Sequence, residues 1–379
     1  MKLNNRDKLV TWFCQNYPDN VQSMKDVSHF QKGRVNHPFH GEGEVWTHTM
    51  MVMTHLHCDT TLSPQDKQIL LTVGMLHDIG KPGSIQIKDD PKIGTKYSFE
   101  GHEGLSTIMA IDILFSMEKE DDFYTNDIRK LILELISLHG TSSLCDESSY
   151  KFQLQKRFRE ADKGGAIRDV DEDIFNQYPK RKVSNRNRAQ EDKSLIILIG
   201  MPGSGKTVYI RNNIDNKYFK ISRDDEMERF YFKYNMLDQG SEPLTHNYIY
   251  TWINQNKIRL FMFNSYFEEC LNKASREQDH VIIDMTMLTA GKRRKILNVY
   301  SKFTAHAVCF LKGEISMNDV NYNRISLGRT IVDEQINRLK KKFMMPVKEE
   351  GFETLEIILL DDVVNKDFDY EKNRRNTIE

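Results

Sequence analysis

Leu195-Ile-Ile-Leu-Ile-Gly-Met-Pro-Gly-Ser-Gly-Lys-Thr207 decides the fold of the second half of this chain. Leu195 to Ile199 is a short apolar run that ends in a glycine-rich turn, the pattern of a buried strand. Gly200-Met-Pro-Gly-Ser-Gly-Lys206-Thr207 then satisfies G-x-x-x-x-G-K-[ST], with a helical segment after it. Gly200, Gly203 and Gly205 let the backbone turn tightly and aim the N–H groups around Ser204 inward. The following helix N-terminus adds partial positive charge, so the loop suits the phosphates of ATP or another NTP. Lys206 is expected on the β- and γ-phosphates and Thr207 on Mg²⁺.

Tyr218-Phe-Lys-Ile221, Val281-Ile-Ile283 and Ala307-Val-Cys-Phe-Leu311 repeat the strand pattern between helical stretches. Strand and helix alternate, which predicts a parallel α/β sheet. Ser222-Arg-Asp224-Asp225 would then stand at the carboxyl end of a strand, where ligands bind in open α/β sheets. Asp224 there suits a general base for an acceptor hydroxyl, and equally Asp224 and Asp225 suit the cap of the next helix. Asp284 closes its own strand in the same way and would hold a metal-bound water or order Lys206. Arg324 and Arg329 offer guanidinium groups for a transferring phosphate, or are solvated surface residues. Lys292-Arg-Arg-Lys295 and Lys340-Lys-Lys342 are expected to neutralise a polynucleotide backbone.

The first half carries different chemistry. Of 12 histidines, nine lie between His29 and His139. Helical periodicity places Val45, His48, Thr49, Val52 and Leu56 on one face and Ile69, Val73, Leu76 and His77 on another. Further stripes end in His139 and in Asp162, and His102 sits in FEGHEG. Helical faces converging on one interior would gather His48, His77, Asp78, His102, His139 and Asp162. Imidazole and carboxylate ligands without sulfur suit Mn²⁺, Fe²⁺, Co²⁺, Ni²⁺ or Zn²⁺, and two such ions can activate a water and hold a phosphoryl oxygen. A single histidine on an apolar face is usually a core residue; six ligand-type groups are a different matter. His37, His40, His55 and His57 remain surface or supporting candidates. A multidomain chain is expected: an all-α bundle over residues 1–170, a polar linker over 171–192, and an α/β P-loop domain over 193–379.

Composition sets outer bounds. With 39% hydrophobic and 29% charged residues, 54 basic against 55 acidic, the 379-residue chain is globular and lacks a wholesale basic coat. Five cysteines without a C-x-x-C pair point to a reducing, cytoplasmic setting, and the absence of long apolar runs to no membrane partner.

The P-loop, Ser222-Arg-Asp-Asp225, Ile282-Ile-Asp-Met-Thr286 and the arginines before Val332-Asp333 and Leu339 together resemble the phage-type 5′-hydroxyl polynucleotide kinases. The resemblance implies ATP-dependent phosphorylation of a 5′-OH end, with Asp224 as base and Arg324 and Arg329 around the donor phosphates. Two features depart from it. The arginine that the family carries three residues after the base is Met227 here, with Arg229 two residues later, and the lid arginines stand one residue farther apart.

His48, His77-Asp78 and Asp162 resemble the H…HD…D core of the HD phosphohydrolase superfamily, with His102 and His139 in the places of the extra ligands of its two-metal members. Lys81, in the Asp78-Ile-Gly-Lys81 continuation, would stabilise a leaving oxygen or act as general acid, or else be a helix C-terminal lysine favoured by the dipole. An HD half ahead of such a kinase is similar to the HD-Pnk end-healing enzymes. That arrangement implies a bifunctional enzyme of RNA or DNA repair: a 5′-hydroxyl kinase using Mg²⁺ and ATP, joined to a 3′-phosphatase or 2′,3′-cyclic phosphodiesterase using two divalent transition metals. A separate ligase would seal the ends, and homo-oligomerisation is left open. The alternatives are a nucleotide phosphohydrolase fused to a small-molecule kinase, or to a P-loop regulatory switch.

Overall fold

A computed structural model describes residues 2–29, 40–90, 94–140, 148–167, 192–235, 245–313 and 331–360. His37, Arg324, Arg329 and most of the expected linker lie outside these residues. The first half is helical, with α1 (Arg6–Asn16), α2 (Pro18–Asp26), α3 (Val45–Cys58), α4 (Pro64–Leu76), a one-turn α5 (Lys81–Ser84), α6 (His102–Glu120), α7 (Asn126–Leu138) and α8 (Tyr150–Gly164). An antiparallel hairpin, β1 (Gln86–Asp90) with β2 (Gly94–Ser98), interrupts the helices. No periodicity in the sequence marked this hairpin.

Local chemistry starts these helices. Ser63 accepts from the Asp66 N–H with Pro64 behind it, Thr125 from Ile128 and Ser149 from Phe152, so orphan donors of α4, α7 and α8 are satisfied. Helix α4 is buried at every residue from Gln68 to Leu76. Such a helix belongs at the centre of a bundle, and whatever follows it stays inside. His77 and Asp78 follow it.

The second half comprises β3 (Ser194–Gly200), α9 (Lys206–Asn213), β4 (Phe219–Ser222), α10 (Arg223–Tyr234), α11 (His246–Asn254), α12 (Lys257–Glu277), β5 (His280–Asp284), α13 (Ala290–Val299), β6 (Thr304–Lys312), α14 (Asp333–Lys341) and β7 (Thr354–Leu360). The five strands form a parallel sheet in the order β4-β5-β3-β6-β7. Strand β7, at the edge, was not legible in the sequence. Both faces of the sheet are covered, as parallel sheets require. Leu198, Ile282, Val308 and Phe310 meet Tyr209 and Ile210 of α9 on one face. Leu195, Ile197, Ile283, Ala307 and Cys309 belong to the other, whose apolar cluster also takes in Ile108, Leu114 and Leu135 of α6 and α7. The helical half therefore shares a core with the sheet.

Two expectations of basic surface are corrected. Arg293 is fully buried, because its guanidinium is consumed within the fold: it pairs with Glu350 at 2.6 and 2.7 Å and donates to the carbonyls of Met287 (3.0 Å) and Met344 (3.1 Å). Lys340 is likewise buried. Lys292, Lys295 and Lys342 keep an exposed position. Arg293→Ala should cost about 3–5 kcal/mol, since it strands the Glu350 charge. Replacing both partners, as Arg293→Met with Glu350→Leu, should recover most of that loss, and denaturant unfolding of the three proteins measures it.

Candidate metal centre and phosphate loop

Five separate elements bring the histidines and aspartates together. His48 lies in α3, His77 and Asp78 follow α4, His102 opens α6, His139 follows α7 and Asp162 lies in α8. They form two groups whose ligand atoms lie within 4.8 Å of one another: His48, His77 and Asp162, and beside them Asp78, His102 and His139. Asp78 stands between the two. Its Oδ2 is 3.2 Å from His77 Nε2 and 3.8 Å from His48 Nε2, while its Oδ1 is 3.4 Å from His102 Nε2 and 3.8 Å from His139 Nε2. Asp162 Oδ1 lies 3.0 Å from His48 Nε2 and 3.6 Å from His77 Nε2.

The orientation of the rings decides what these groups can hold. His77 Nδ1 faces the Gly74 carbonyl at 2.9 Å, His102 Nδ1 that of Phe99 at 2.8 Å and His139 Nδ1 that of Ile136 at 2.6 Å. His48 Nδ1 faces the Gly165 carbonyl at 3.2 Å and Glu42 Oε1 at 2.9 Å. A carbonyl or carboxylate oxygen only accepts, so each Nδ1 carries the proton and each Nε2 turns a lone pair inward. His102 Nε2 and His139 Nε2 then stand 3.0 Å apart, two acceptors facing each other. His77 Nε2 and Asp78 Oδ1 are buried without a hydrogen-bond partner, and Asp78 Oδ2 faces the Lys81 ammonium at 2.7 Å. Four inward lone pairs and two carboxylates call for positive charge between them, and the set fits divalent cations with mixed nitrogen and oxygen ligation.

Those lone pairs belong to the neutral rings, and protons drawn by the two aspartates compete with a cation for them. Burial alone would lower the His77 pKa, yet Asp78 and Asp162 carry it up to about 10. Burial alone would raise Asp78, but His77 and Lys81 outweigh it and hold the carboxyl well below its ordinary range. Asp162 is held down in the same way by His48 and His77. Burial, with His102 and His77 adding to it, brings His139 down to about 4, which leaves a neutral imidazole.

Lys81 opens the short helix α5 rather than closing a helix, and it is buried. Its Nζ is 2.7 Å from Asp78 Oδ2 and 3.0 Å from His29 Nε2, over the Phe99 ring. The helix-dipole explanation of this lysine falls away.

Two residues of this neighbourhood, His29 and Glu42, were not singled out by sequence reasoning, and they join His40, a surface or supporting candidate there. Burial and Lys81 push His29 down to about 2, so it is a neutral acceptor for the ammonium. His40 stacks on His29 and lies 2.9 Å from Glu42. Glu42 in turn accepts from His48 Nδ1 and from the Ile167 N–H at 2.9 Å. His29, His40 and Glu42 form a third ligand-type group, but an ammonium already faces His29 Nε2, so the trio serves as support for its neighbours. Its sequence signal was the crowding of histidines before α3; without a helical face, periodicity gave no way to rank them. His55 and His57 are exposed.

The second centre lies at the carboxyl edge of the sheet. Gly203 and Gly205 have φ of 81° and 90°, the left-handed values that let the loop curl before α9. Lys206 is buried, and its Nζ donates to the carbonyls of Gly200 (3.0 Å) and Met201 (2.8 Å) and to Ser204 Oγ (3.4 Å), while Thr207 is exposed. The cap of α10 is Ser222, whose hydroxyl accepts from the Asp225 N–H at 3.4 Å, so Asp224 and Asp225 fall in its first turn. Asp225 pairs with Lys220 at 2.7 Å. The Asp224 side chain stays 61% exposed, with His246 Nε2 at 3.8 Å, and so remains open to an incoming group. Burial raises the Asp284 carboxyl against the pull of Lys206 and Lys220, with Asp224 and Asp225 adding to the rise. Strand register places Asp284 opposite both Ser222 and Leu198, which puts the P-loop, Asp224 and Asp284 on one edge.

Comparisons with known proteins agree with this division. An HD domain model matches residues 45–166, and an AAA domain model matches residues 195–345. The chain thus contains an HD domain and a P-loop domain of kinase-like type, and the histidine–aspartate clusters fit the metal dependence of the first. No curated protein sequence matches the chain. Among solved structures, a proposed kinase from Chloroflexus aurantiacus j-10-fl aligns at 12% identity and TM-score 0.33, over 50% of this chain and 99% of that one. Chaetomium thermophilum Kti12 in complex with ADP-AlF3 aligns at 15% identity and TM-score 0.30, over 49% of this chain and 99% of that one. Among the described residues no helix is long and apolar enough to cross a membrane.

Glu42 fixes the His48 ring, so Glu42→Ala should weaken cation binding roughly 10–100-fold without removing a ligand. Titration of the chelator-stripped protein with Mn²⁺ measures the loss, and an unchanged affinity would remove Glu42 from this role.

Proposed function

We propose that the chain is a bifunctional nucleic-acid end-healing enzyme, a 5′-hydroxyl polynucleotide kinase and a metal-dependent 3′-phosphoesterase, divided at the expected linker over 171–192. One observation carries this reading: the chain holds two phosphate-handling centres of different chemistry, and in the second an open carboxylate, Asp224, shares a strand edge with the phosphate loop.

At the kinase centre Lys206 leaves its loop carbonyls for the β- and γ-phosphates, and Thr207 with Mg²⁺ holds the donor in place. The acceptor hydroxyl gives its proton to Asp224 as its oxygen bonds to the γ-phosphorus, and the bond to the β,γ-bridging oxygen breaks to release ADP. Asp284 lies where it orders Lys206 or a metal-bound water. Arg324 and Arg329 belong to the proposal as clamps on the donor phosphates, and they lie outside the described residues. Partial burial of its ammonium, and then the positive charges of Lys342 and Arg223, lower the Lys292 pKa. An anionic backbone relieves the repulsion among these charges, which favours a polynucleotide acceptor over a neutral small molecule.

At the HD centre His48, His77 and Asp162 would hold one cation, and His102 and His139 a second, with Asp78 offering one oxygen to each. Bound there, two divalent ions supply an activated water and a grip on a phosphoryl oxygen. Lys81, aligned by Asp78 and His29, places a proton and a positive charge where a leaving oxygen develops charge.

Lys206→Ala or Asp224→Ala should cut 5′ phosphorylation by roughly 10²–10⁴-fold and spare 3′ processing, whereas His77→Ala or Asp78→Ala should do the reverse. A 5′-OH, 3′-phosphate oligonucleotide incubated with γ-labelled ATP, with both ends analysed, reads both activities at once. Chelator-stripped protein given only Mg²⁺ and ATP should phosphorylate 5′ ends and leave 3′ ends until Mn²⁺, Co²⁺ or Ni²⁺ is added. Phosphorylation of mononucleosides in preference to oligonucleotides, or ATP hydrolysis without a labelled acceptor, would overturn the kinase assignment.

A further inference from the structure

Two of the three ligands of the second cation position stand at helix ends held by a segment of the other half of the chain. His102 is the first residue of α6, and its ring direction is set by the Phe99 carbonyl just before it. That first turn lies directly on residues 340–345. A Cβ at Gly104 would come within 2.5 Å of the Phe343 carbonyl oxygen and 2.7 Å of that of Lys340, and one at Gly101 would run into the Lys341 carbonyl. Glycine is therefore required at this crossing for space, and α6 seats backbone to backbone. His139 follows α7, and two residues before it Ser137 Oγ accepts from the Met345 N–H at 3.1 Å. Ser137 and Met345 are both buried, so this bond is shielded from water.

The segment itself is anchored in the P-loop half. The Met344 N–H donates to the Leu288 carbonyl at 2.9 Å, and the Met344 carbonyl accepts from Arg293, whose other nitrogens grip Glu350. Phe343 and Met345 are buried in the shared core. The segment is thus a strap, tied on one side to α13 and the loop before it through Arg293 and Leu288, and on the other to the start of α6, which carries His102, and the end of α7, which His139 follows. The ligands of the first position come from α3, α8 and the end of α4, which pack on one another.

We propose that residues 340–345 are the positioning element of the second cation position, so that the phosphoesterase centre is completed by docking of the P-loop half. This rests on the reading of the histidine–aspartate groups as a two-cation centre. His102 Nε2 and His139 Nε2 are brought to 3.0 Å with both lone pairs inward, an arrangement that repels unless the helix ends are held from outside or a cation lies between them. The strap supplies the holding. A small displacement of α6 or α7 opens the pair and weakens that position, while the first position keeps its own ligands.

The test titrates Mn²⁺ into chelator-stripped full-length protein, with wild type, Gly104→Ala and Ser137→Ala compared by binding stoichiometry and by electron paramagnetic resonance. Wild type should bind two ions whose spectra show magnetic coupling. Each variant should keep the affinity of the first ion, bind the second at least about tenfold more weakly and give the six-line spectrum of an isolated ion at equal loading. Ser137→Ala adds no atom, so it reads the outcome even if Gly104→Ala fails to fold. Asp78→Ala, which removes the shared carboxylate, should weaken both ions. If both ions weaken together in the strap variants, or neither does, the strap is not a positioning element, although the two-cation reading survives. If wild type binds no transition ion, both the strap and that reading are overturned.

Discussion

Asp78 is a carboxylate placed where water does not reach, and most of the helical half can be understood as what makes that placement tolerable. A buried ionised group is costly unless charge and hydrogen bonds compensate it. Helix α4 is buried on every side from Gln68 to Leu76 and carries Asp78 inward; Lys81, three residues on, supplies a cation at 2.7 Å; four imidazoles surround the remaining space. None of those rings is free to turn away, because each has its Nδ1 committed to a carbonyl or carboxylate oxygen. The result is a cavity of ligand-type groups with one fixed ammonium at its margin, an environment that fits cations in two adjoining groups.

The same logic of commitment runs through the P-loop half, with a different outcome. Its parallel sheet sends β3, β4 and β5 to one edge, so three strand ends deliver a phosphate loop and two aspartates without any long loop having to fold around a ligand. Lys206 is held by its own loop carbonyls, which keeps a buried cation satisfied until phosphate oxygens replace them. Asp225 and Lys220 neutralise each other, and Asp224 is left facing solvent. Two neighbouring aspartates thereby acquire different roles from their surroundings alone.

Between the halves lies a core, not a hinge. Apolar side chains of α6 and α7 belong to the same buried cluster as β6 and the strap, and Arg293 holds the strap at the Met344 carbonyl while its other hydrogen bonds go to Met287 and Glu350. A guanidinium suits this position because its planar fork satisfies a carboxylate and two carbonyls at once, which an ammonium could not do in the same geometry.

The amino-acid sequence by itself determined the parts whose chemistry is local. The P-loop is contiguous, and its glycines, lysine and threonine act through neighbouring backbone. The ligand-bearing positions His48, His77, Asp78, His139 and Asp162 fall on or beside helical stripes, so the 3.6-residue period pointed them inward, and the sheet followed from alternation of strand and helix. Tertiary structure alone decided the rest. Arg293 looked like one member of a basic run and is a buried tie, because Glu350 reaches it from 57 residues away. His29 and Glu42 lie outside any helix, so no period ranked them, and their roles come from Lys81 and His48 arriving beside them. Gly104 and Ser137 carry no chemical signal at all; they matter because residues 340–345 cross them. Periodicity reports which side of an element is buried, and it is silent about which distant backbone will come to lie there.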